Sequence, residues 1–363
     1  MTAPTLTDDR VQQPYWTHRL AEPSDLPEIL RLIRAVHGDT HPELDEAYLR
    51  WRYFNDTPFR AQIMLAEHEG RPIGIQPLAI FAWDWGDARL RGAMYTGVLT
   101  HPDHRRKGVF QSLLAACNDY AAQVGAQFCM MLPNEASFPG FIKTNWTYPG
   151  LIPLHLRISS PGRALATRIG GVPSWLASAG PSIFFRPRAG PTTGIHCEPV
   201  SRVLDELDDV ATRSSARNDG VRLRRSAAYW NWRYDSTVGR GYHTIIARRA
   251  GRLVGAAAVK VGQRAGLDVG MILDLVSDDD AAAAIVDGAQ QRLLELGAGI
   301  VTCQASSPHL SRMLRDRGFR PIGPRFSGKR FHFVFRPTGV SGLPRMPAAM
   351  ADWSLMFGDS DNV

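Results

Sequence analysis

The stretch His101-Pro102-Asp103-His104-Arg105-Arg106-Lys107-Gly108-Val109-Phe110 decides the fold of this chain. An apolar run over residues 93–100 precedes it and predicts a buried strand, while leucines and small residues at helical spacing follow it from residue 113 onward. The order is therefore strand, basic glycine loop and helix. The first N–H groups of a helix lack intrahelical partners and carry the positive end of its dipole, so they bind anions. Because Gly108 lets the backbone approach closely and residues 105–107 add positive charge, the stretch predicts a phosphate-binding loop.

The chain continues this pattern after the helix. A second buried strand is predicted over residues 127–132, and a short helix closes on residues 141–146. The motif Arg105-x-x-Gly108 resembles the pyrophosphate-binding motif of the GNAT acyltransferase superfamily, and the segment Phe141-Ile142-Lys143-Thr144-Asn145-Trp146 resembles the closing "Y-x-K-x-G-F" of that superfamily. Two positions depart from the family pattern. Phe110 replaces a small residue, and Phe141 replaces a tyrosine with a ring that cannot donate a proton.

The resemblance implies a mixed-sheet α/β (α+β) fold and an N-acyltransferase whose co-substrate is acetyl-CoA or another acyl-CoA. It also implies that the pantetheine arm pairs with the strand before the loop, with the N–H of Val98 or Leu99 facing the oxyanion. The residues that it implies for cofactor binding are Val98, Leu99, Thr100, Arg105, Arg106, Lys107, Gly108, Val109, Phe110, Asn134 and Phe141.

An amine must be neutral before it attacks a thioester, so a base is expected near the strand end. Glu135 is the first choice because it follows Asn134 beside the predicted cleft, while His101 and His104 are alternatives. Each of these residues could equally be a loop or cap residue. The predicted catalytic set is Glu135, Asn134 and Tyr95.

Internal repetition is the second informative feature. Residues 48–53 (YLRWRY) recur as residues 229–234 (YWNWRY), and residues 69–74 (EGRPIG) recur as residues 250–255 (AGRLVG), at the same offset. The constant offset predicts two copies of one α/β unit. We therefore expect two tandem GNAT-like domains over 1–150 and 195–363, joined by a proline- and glycine-rich crossing connection with local structure over 151–194.

The second copy is predicted to be degenerate. After its apolar strand over residues 271–276 it carries Ser277-Asp278-Asp279-Asp280 where the first copy has the basic glycine loop. Three carboxylates suit a helix N-terminus but repel a diphosphate. The second copy is therefore predicted to lack the cofactor site and to keep a structural or substrate-binding role.

The repeated Trp51-Arg52-Tyr53 signature has two interpretations. Its aromatic rings and Arg52 could bind a ring and an anionic group of the substrate. Its recurrence at Trp232-Arg233-Tyr234, in the copy without the loop, favours a packing role instead.

The C-terminal segment Asp352–Asp361 is too apolar for a free tail and is predicted to dock. Its ending is similar to the "W-x-x-x-x-G-D-S-D" finish of tandem-GNAT proteins encoded with bacterial sugar-biosynthesis genes, which include N-acyltransferases for nucleotide-linked amino sugars. The resemblance implies an amino sugar as the acceptor. Asp359 and Asp361 would then bind its amine, or else form a solvated acidic end.

Composition limits the remaining classes. With 44% hydrophobic and 21% charged residues the chain is globular, and it has neither the roughly 18 uninterrupted apolar residues of a membrane span nor an apolar leader, so a cytoplasmic location and no membrane partner are expected. The four cysteines lack metal-ligand spacing, which predicts reduced thiols and no metal. The net charge of +7 is spread over both halves, which disfavours nucleic acid as a partner. The oligomeric state is left open.

The sequence thus predicts direct acyl transfer from acyl-CoA to a small-molecule amine in a ternary complex. A catalytically silent acyl-CoA sensor or protein-binding scaffold is the alternative that Phe141 keeps open. A peptidyl transferase that uses aminoacyl-tRNA is another, but such proteins lack the diphosphate loop that residues 105–108 provide.

Overall fold

The computed structural model describes residues 15–55, 59–160, 194–215, 220–264, 266–340 and 346–360. The strands are β1 (Thr17–Leu20), β2 (Arg60–His68), β3 (Arg71–Trp85), β4 (Ala88–Tyr95), β5 (Leu99–Thr100), β6 (Phe128–Met131), β7 (Thr147–Leu151), β8 (Leu154–Ile158), β9 (Ile195–Val200), β10 (Arg222–Leu223), β11 (Tyr242–Arg249), β12 (Arg252–Arg264), β13 (Leu267–Ser277), β14 (Ile300–Gln304), β15 (Arg320–Ile322) and β16 (His332–Pro337). The helices are α1 (Leu26–His37), α2 (Glu46–Tyr53), α3 (Val109–Gln123), α4 (Phe138–Lys143), α5 (Glu206–Ser215), α6 (Ala227–Arg233), α7 (Ala282–Glu295), α8 (Pro308–Asp316) and α9 (Pro324–Ser327).

These strands form two mixed sheets with the same arrangement. The first sheet has the order β1-β2-β3-β4-β6-β16-β7, and β5 and β10 pair with β3. The second sheet, read from its other edge, has the order β9-β11-β12-β13-β14-β8-β15. In both sheets the fourth and fifth strands are parallel, β4 with β6 and β13 with β14. The predicted α/β fold with two copies is confirmed, and we call each sheet with its packed helices a copy.

The two copies exchange one strand. In the first sheet β16, from the C-terminal half, lies between β6 and β7. In the second sheet β8, from the N-terminal half, lies between β14 and β15. Each half of the chain therefore completes the sheet of the other. The predicted boundaries at residues 150 and 195 stay a prediction, and residues 161–193 of the crossing connection lie outside the described residues.

The sequence repeat corresponds to repeated local structure. Asp45 caps the N-terminus of α2, and Ser226 caps α6 at the equivalent position. The hairpins β2–β3 and β11–β12 turn at Glu69-Gly70 and Ala250-Gly251, and all four residues have positive φ, from 46° to 81°. This is the geometry of a tight two-residue hairpin turn, in which glycine at the second position is favoured.

The repeated signature lies where the copies meet. The indole rings of Trp51 and Trp232 stack with centroids 5.4 Å apart, and Phe59 packs against Trp232 at 5.3 Å. One apolar core cluster includes buried residues of both halves, among them Trp83, Tyr229 and Trp353. The copies therefore share a continuous hydrophobic core.

The C-terminal segment is part of this core. Trp353, Leu355, Met356 and Phe357 are all buried. None of the described helices combines the length and the apolar character needed to cross a bilayer. The four cysteines are free thiols, and three of them are buried.

Candidate functional site

A break in the fourth strand opens the first sheet. Strand β4 ends at Tyr95 and β5 begins at Leu99, so residues 96–98 form an interruption that we call the strand break. Pairing between β4 and β6 ends at Tyr95 and Met131, whereas β5 pairs only with β3 among the described strands. The gap between β5 and the chain after β6 is therefore a groove in the sheet, which we call the first groove.

The hydrogen bonds of β5 determine which N–H groups face this groove. The N–H of His101 donates to Ile73 O on β3 at 2.8 Å. Groups on one strand alternate in direction, so the N–H of Leu99 also faces β3, whereas that of Thr100 points toward the groove. Of the two residues predicted to face an oxyanion, Leu99 therefore directs its N–H away from the groove, while Val98 lies in the strand break.

The basic loop leads from β5 into the N-terminus of α3. Gly108 adopts φ +94° as the residue before the helix, and Arg106 also has a positive φ of 61°. Ser112 N donates to the carbonyl oxygen of Gly108, the residue before the helix, at 3.0 Å. The preceding N–H groups, on residues 109–111, lie at the mouth of this 15-residue helix. With exposed cationic side chains at residues 105–107, the mouth suits an anion such as a diphosphate.

The second copy lacks this mouth. Eight positions separate His101 from the start of α3, but only four separate the equivalent Asp278 from the start of α7. Two of its three carboxylates are in ion pairs, Asp278 with Arg213 at 2.8 Å and Asp280 with Arg249 at 2.7 Å, and Asp279 lies 3.8 Å from the imidazole of His309. A shorter, acidic connection without glycine does not suit an anion.

The groove of the second copy is filled by the C-terminal segment. Pairing between β13 and β14 ends at Ile272 and Cys303. Beyond that point Ser306 N donates to Leu355 O at 3.2 Å, and Leu355 N donates to Ser306 Oγ at 2.6 Å. A Cβ on Gly358 would clash with Tyr234 and Asp274, so the segment also lies tightly against β13. The chain thus occupies the place that the first copy leaves open.

Comparison with known proteins agrees with this geometry. The family model for the acetyltransferase (GNAT) domain matches residues 17–148. This part of the chain is thus similar to a GNAT acetyltransferase domain. No curated protein matches the chain in sequence.

Solved structures similar to the chain support the tandem GNAT fold. One is a GCN5-related N-acetyltransferase from Anabaena variabilis, at 12% identity over 90% of this chain and 73% of that one, with a TM-score of 0.64. Another is a putative acetyltransferase from Pyrococcus horikoshii, at 10% identity over 97% of both chains, with a TM-score of 0.54. A tandem GNAT protein from the clavulanic acid biosynthesis pathway is 16% identical over 90% of this chain and 99% of that one, with a TM-score of 0.53. The predicted tandem GNAT arrangement is confirmed.

Two of the predicted catalytic side chains, Tyr95 and Asn134, make structural contacts. The hydroxyl of Tyr95 is buried between Asn118 Oδ1, at 2.9 Å, and Cys129 Sγ, at 3.2 Å, and burial raises its pKa well above the ordinary value. The carboxamide oxygen of Asn134 accepts from Ala136 N and Ser137 N, at 3.0 and 2.9 Å, just before α4. These contacts indicate a core residue and a helix-capping residue, and the catalytic roles stay predictions without support from the placement.

Glu135 is exposed beside the exchanged strand. Its carboxylate lies 3.5 Å from His332 Nε2 and 3.8 Å from Arg330. His332 also hydrogen-bonds to the hydroxyl of Tyr148 at 3.0 Å and stacks on Phe138. The second half thus supplies the partner of the predicted base.

The two phenylalanines that depart from the GNAT pattern pack on each other. Phe110 on α3 and Phe141 on α4 have ring centroids 5.4 Å apart, and Phe141 is fully buried against Trp146. Val109 and Leu99 are also buried. These side chains pack in the core and support the basic loop. Contacts between these residues and a cofactor would therefore be made by their backbone groups.

The predicted substrate residues are largely enclosed. Arg52 is 2% exposed and Trp51 is half-buried in the stack with Trp232. Asp359 is fully buried and forms an ion pair with Arg225 at 2.9 Å. Burial raises the pKa of Asp359 to about 6. Asp361 lies outside the described residues.

Glu43 is a site residue that sequence reasoning missed. It lies in the short turn Pro42–Leu44 between α1 and α2, and a Cβ placed on Gly97 would be 3.7 Å from both of its carboxylate oxygens. His41, in the same turn, stacks on His37 with centroids 4.2 Å apart, and burial lowers the pKa of both imidazoles. No local pattern marks this turn, because its approach to the strand break depends on how α1 and α2 pack on the sheet.

Proposed function

We propose that this chain is an N-acyltransferase that transfers an acyl group from an acyl-CoA, most simply acetyl-CoA, to the amine of a small metabolite. The observation that carries the proposal is the contrast between the copies. The first combines an open groove with a glycine-capped, cationic helix mouth, whereas the second has acidic residues at the mouth and the C-terminal segment in the groove. One acyl-CoA per chain, bound by the first copy, follows from this contrast. Because acyl-CoA is supplied in the cytoplasm, the proposal includes that location.

Different residues of the first copy would bind the diphosphate and stabilise the reacting carbonyl group. The N–H groups of residues 109–111, with the cations of residues 105–107, would bind the diphosphate. The N–H of Val98 would stabilise the negative charge that develops on the acyl oxygen. The neutral amine attacks the thioester carbonyl directly, so that the C–N bond forms and the C–S bond breaks. One proton of the amine goes to the base, and the coenzyme A thiolate leaves and takes up a proton from solvent. Holding both reactants in one groove supplies much of the acceleration.

Glu43 is better placed than Glu135 to accept the proton of the attacking amine. Its carboxylate borders the strand break, while Glu135 lies at the surface among Arg330 and His332. The Glu43 carboxylate at the strand break would also attract an amine in its cationic ammonium form. We propose Glu43 as the base, with Glu135 as the alternative.

We propose an amino sugar, free or linked to a nucleotide, as the acceptor. The support is the similarity of the C-terminal ending to that of tandem-GNAT sugar N-acyltransferases, together with the Glu43 carboxylate beside the strand break. A catalytically silent acyl-CoA sensor is the second candidate, which Phe141 favours because its phenyl ring cannot protonate a thiolate.

Calorimetry with acetyl-CoA tests the cofactor site. We expect one molecule bound per chain, and an affinity loss of about 100-fold or more in Gly108→Glu, because the new carboxylate would occupy the place of the diphosphate. Gly297→Glu is the matched control, since Gly297 has φ +98°, no atom near its Cβ position and a place after α7 in the second copy. Equal affinities in the two variants would refute the site.

Release of free thiol from acetyl-CoA tests the reaction. A panel of glucosamine, glucosamine 6-phosphate and uridine-diphosphate-linked amino sugars should include an acceptor, and Glu43→Gln should then lower kcat by about 100-fold while Glu135→Gln should not. A loss of kcat in Glu135→Gln and none in Glu43→Gln would identify Glu135 as the base instead. Tight binding of acetyl-CoA without turnover of a broad amine panel would favour the sensor.

A further inference from the structure

Thr96 is the anchored residue of the strand break. Its N–H donates to Pro77 O at 3.1 Å, and its carbonyl accepts from the carboxamide of buried Gln76 at 2.8 Å. Its hydroxyl lies 3.1 Å from the hydroxyl of Tyr53, at the end of α2. Thr96 is thus fixed through its N–H, its carbonyl and its side chain, immediately before Gly97 and Val98.

Trp232, in the second half of the chain, is linked to Tyr53 through Arg52. Arg52 Nε donates to the hydroxyl oxygen of Tyr53 at 3.3 Å, and the guanidinium carbon of Arg52 lies 5.4 Å from the ring centre of Trp232. Because a guanidinium can only donate, the Tyr53 hydroxyl oxygen accepts from Arg52, and the same hydroxyl contacts Thr96. The chain of contacts therefore runs from Trp232, in the second copy, to the strand break of the first.

The same contact recurs in the second copy. Tyr234 is the repeat of Tyr53, and its hydroxyl donates to Asp274 at 2.5 Å. Asp274 pairs with Ala258 on β12, which is the repeat of Pro77, so Asp274 and Thr96 occupy equivalent positions. A tyrosine that holds the residue at the strand break is thus a feature of the unit and not an accident of one copy.

We propose that Tyr53 is a positioning residue for acyl transfer, which holds Thr96 so that the N–H of Val98 faces the acyl carbonyl in the first groove. The inference rests on the proposed function, because it assigns an acyl-CoA to that groove. It also assigns a task to the repeated signature: Trp51 and Trp232 join the copies, and Arg52 and Tyr53 extend that contact to the reacting group.

The affinities for acetyl-CoA and for coenzyme A separate this role from general stability. Both ligands use the helix mouth, but only acetyl-CoA has a carbonyl for the strand break. We expect Tyr53→Phe and Thr96→Val to weaken acetyl-CoA binding several-fold more than coenzyme A binding, with no further loss in the double variant. Thr96→Ser keeps the hydroxyl and should restore the wild-type ratio.

Tyr234→Phe is the matched control, because it removes the equivalent hydroxyl where no acyl-CoA is expected. It should lower the melting temperature and leave both affinities unchanged. An unchanged affinity ratio in Tyr53→Phe and Thr96→Val, or the same change in Tyr234→Phe, would overturn the proposal. If the wild-type chain binds neither ligand, the proposed function itself has failed.

Discussion

Thr96 and Asp274 occupy equivalent positions in the two copies, and the difference between them separates an open groove from a filled one. Threonine leaves the strand break uncharged. Asp274 introduces a buried carboxylate, which is paired with Arg225, and Arg225 also binds Asp359 of the C-terminal segment. A buried charge needs partners, so the aspartate helps to hold the segment in the second groove.

The pKa of Asp359 predicts how this buried cluster responds to pH. Burial raises the pKa from 3.8 to about 6 in the folded chain, while Arg225, Asp274 and Tyr229 also face the carboxyl group. A raised pKa stabilises the fold below pH 3.8 and loses that contribution as the pH rises through 6. Asp359→Asn cannot ionise, so its melting temperature should improve relative to wild type as the pH rises from 3.8 to about 6, the interval between the unfolded and folded pKa values. If the melting temperatures of wild type and Asp359→Asn change in parallel with pH over this range, Asp359 does not titrate there.

At the scale of elements, the strand before the basic loop, the loop and helix α3 follow from local signals. Glycine, basic residues and apolar periodicity lie within one short stretch. The docking of the C-terminal segment also followed from its apolar residues. The position of Glu43 could not be predicted in this way, because the turn between α1 and α2 reaches Gly97 only through tertiary packing. The buried state of Tyr95 could not be predicted either, because residues 92–95 at the end of its strand are buried on both faces and the sequence does not show which face α3 covers.

The acidic connection before α7 gives a prediction for one element. Replacing Asp278, Asp279 and Asp280 together by alanine removes two ion pairs and one contact with His309, all at partly exposed sites, which contribute little to stability. We expect the affinity for coenzyme A to stay within about twofold of wild type, because the ligand is bound by the other copy. The melting temperature should fall by only a few degrees. A large gain in bound coenzyme A per chain would mean that the second copy retains a usable site.

At the scale of the molecule, periodicity predicts strands but not their partners. Residues 154–158 and 332–337 each have strand-like sequences, yet nothing local shows that β8 belongs to the second sheet and β16 to the first. The offset of the repeat suggested two independent units. The exchange makes them interdependent, because β6 and β7 are each paired with β16.

This exchange can be tested by dividing the chain within residues 161–193. A fragment ending there retains the basic loop but lacks β16, whose Val334 is fully buried in the core beneath α3 and whose Phe333 packs against Trp353. Loss of a central strand exposes the backbone groups of both neighbours, so we expect neither fragment to fold alone. Produced together, the fragments should assemble and bind coenzyme A, as measured by calorimetry. A first fragment that binds coenzyme A by itself with wild-type affinity would show that β16 is dispensable, and the cofactor site would then depend on the first half alone.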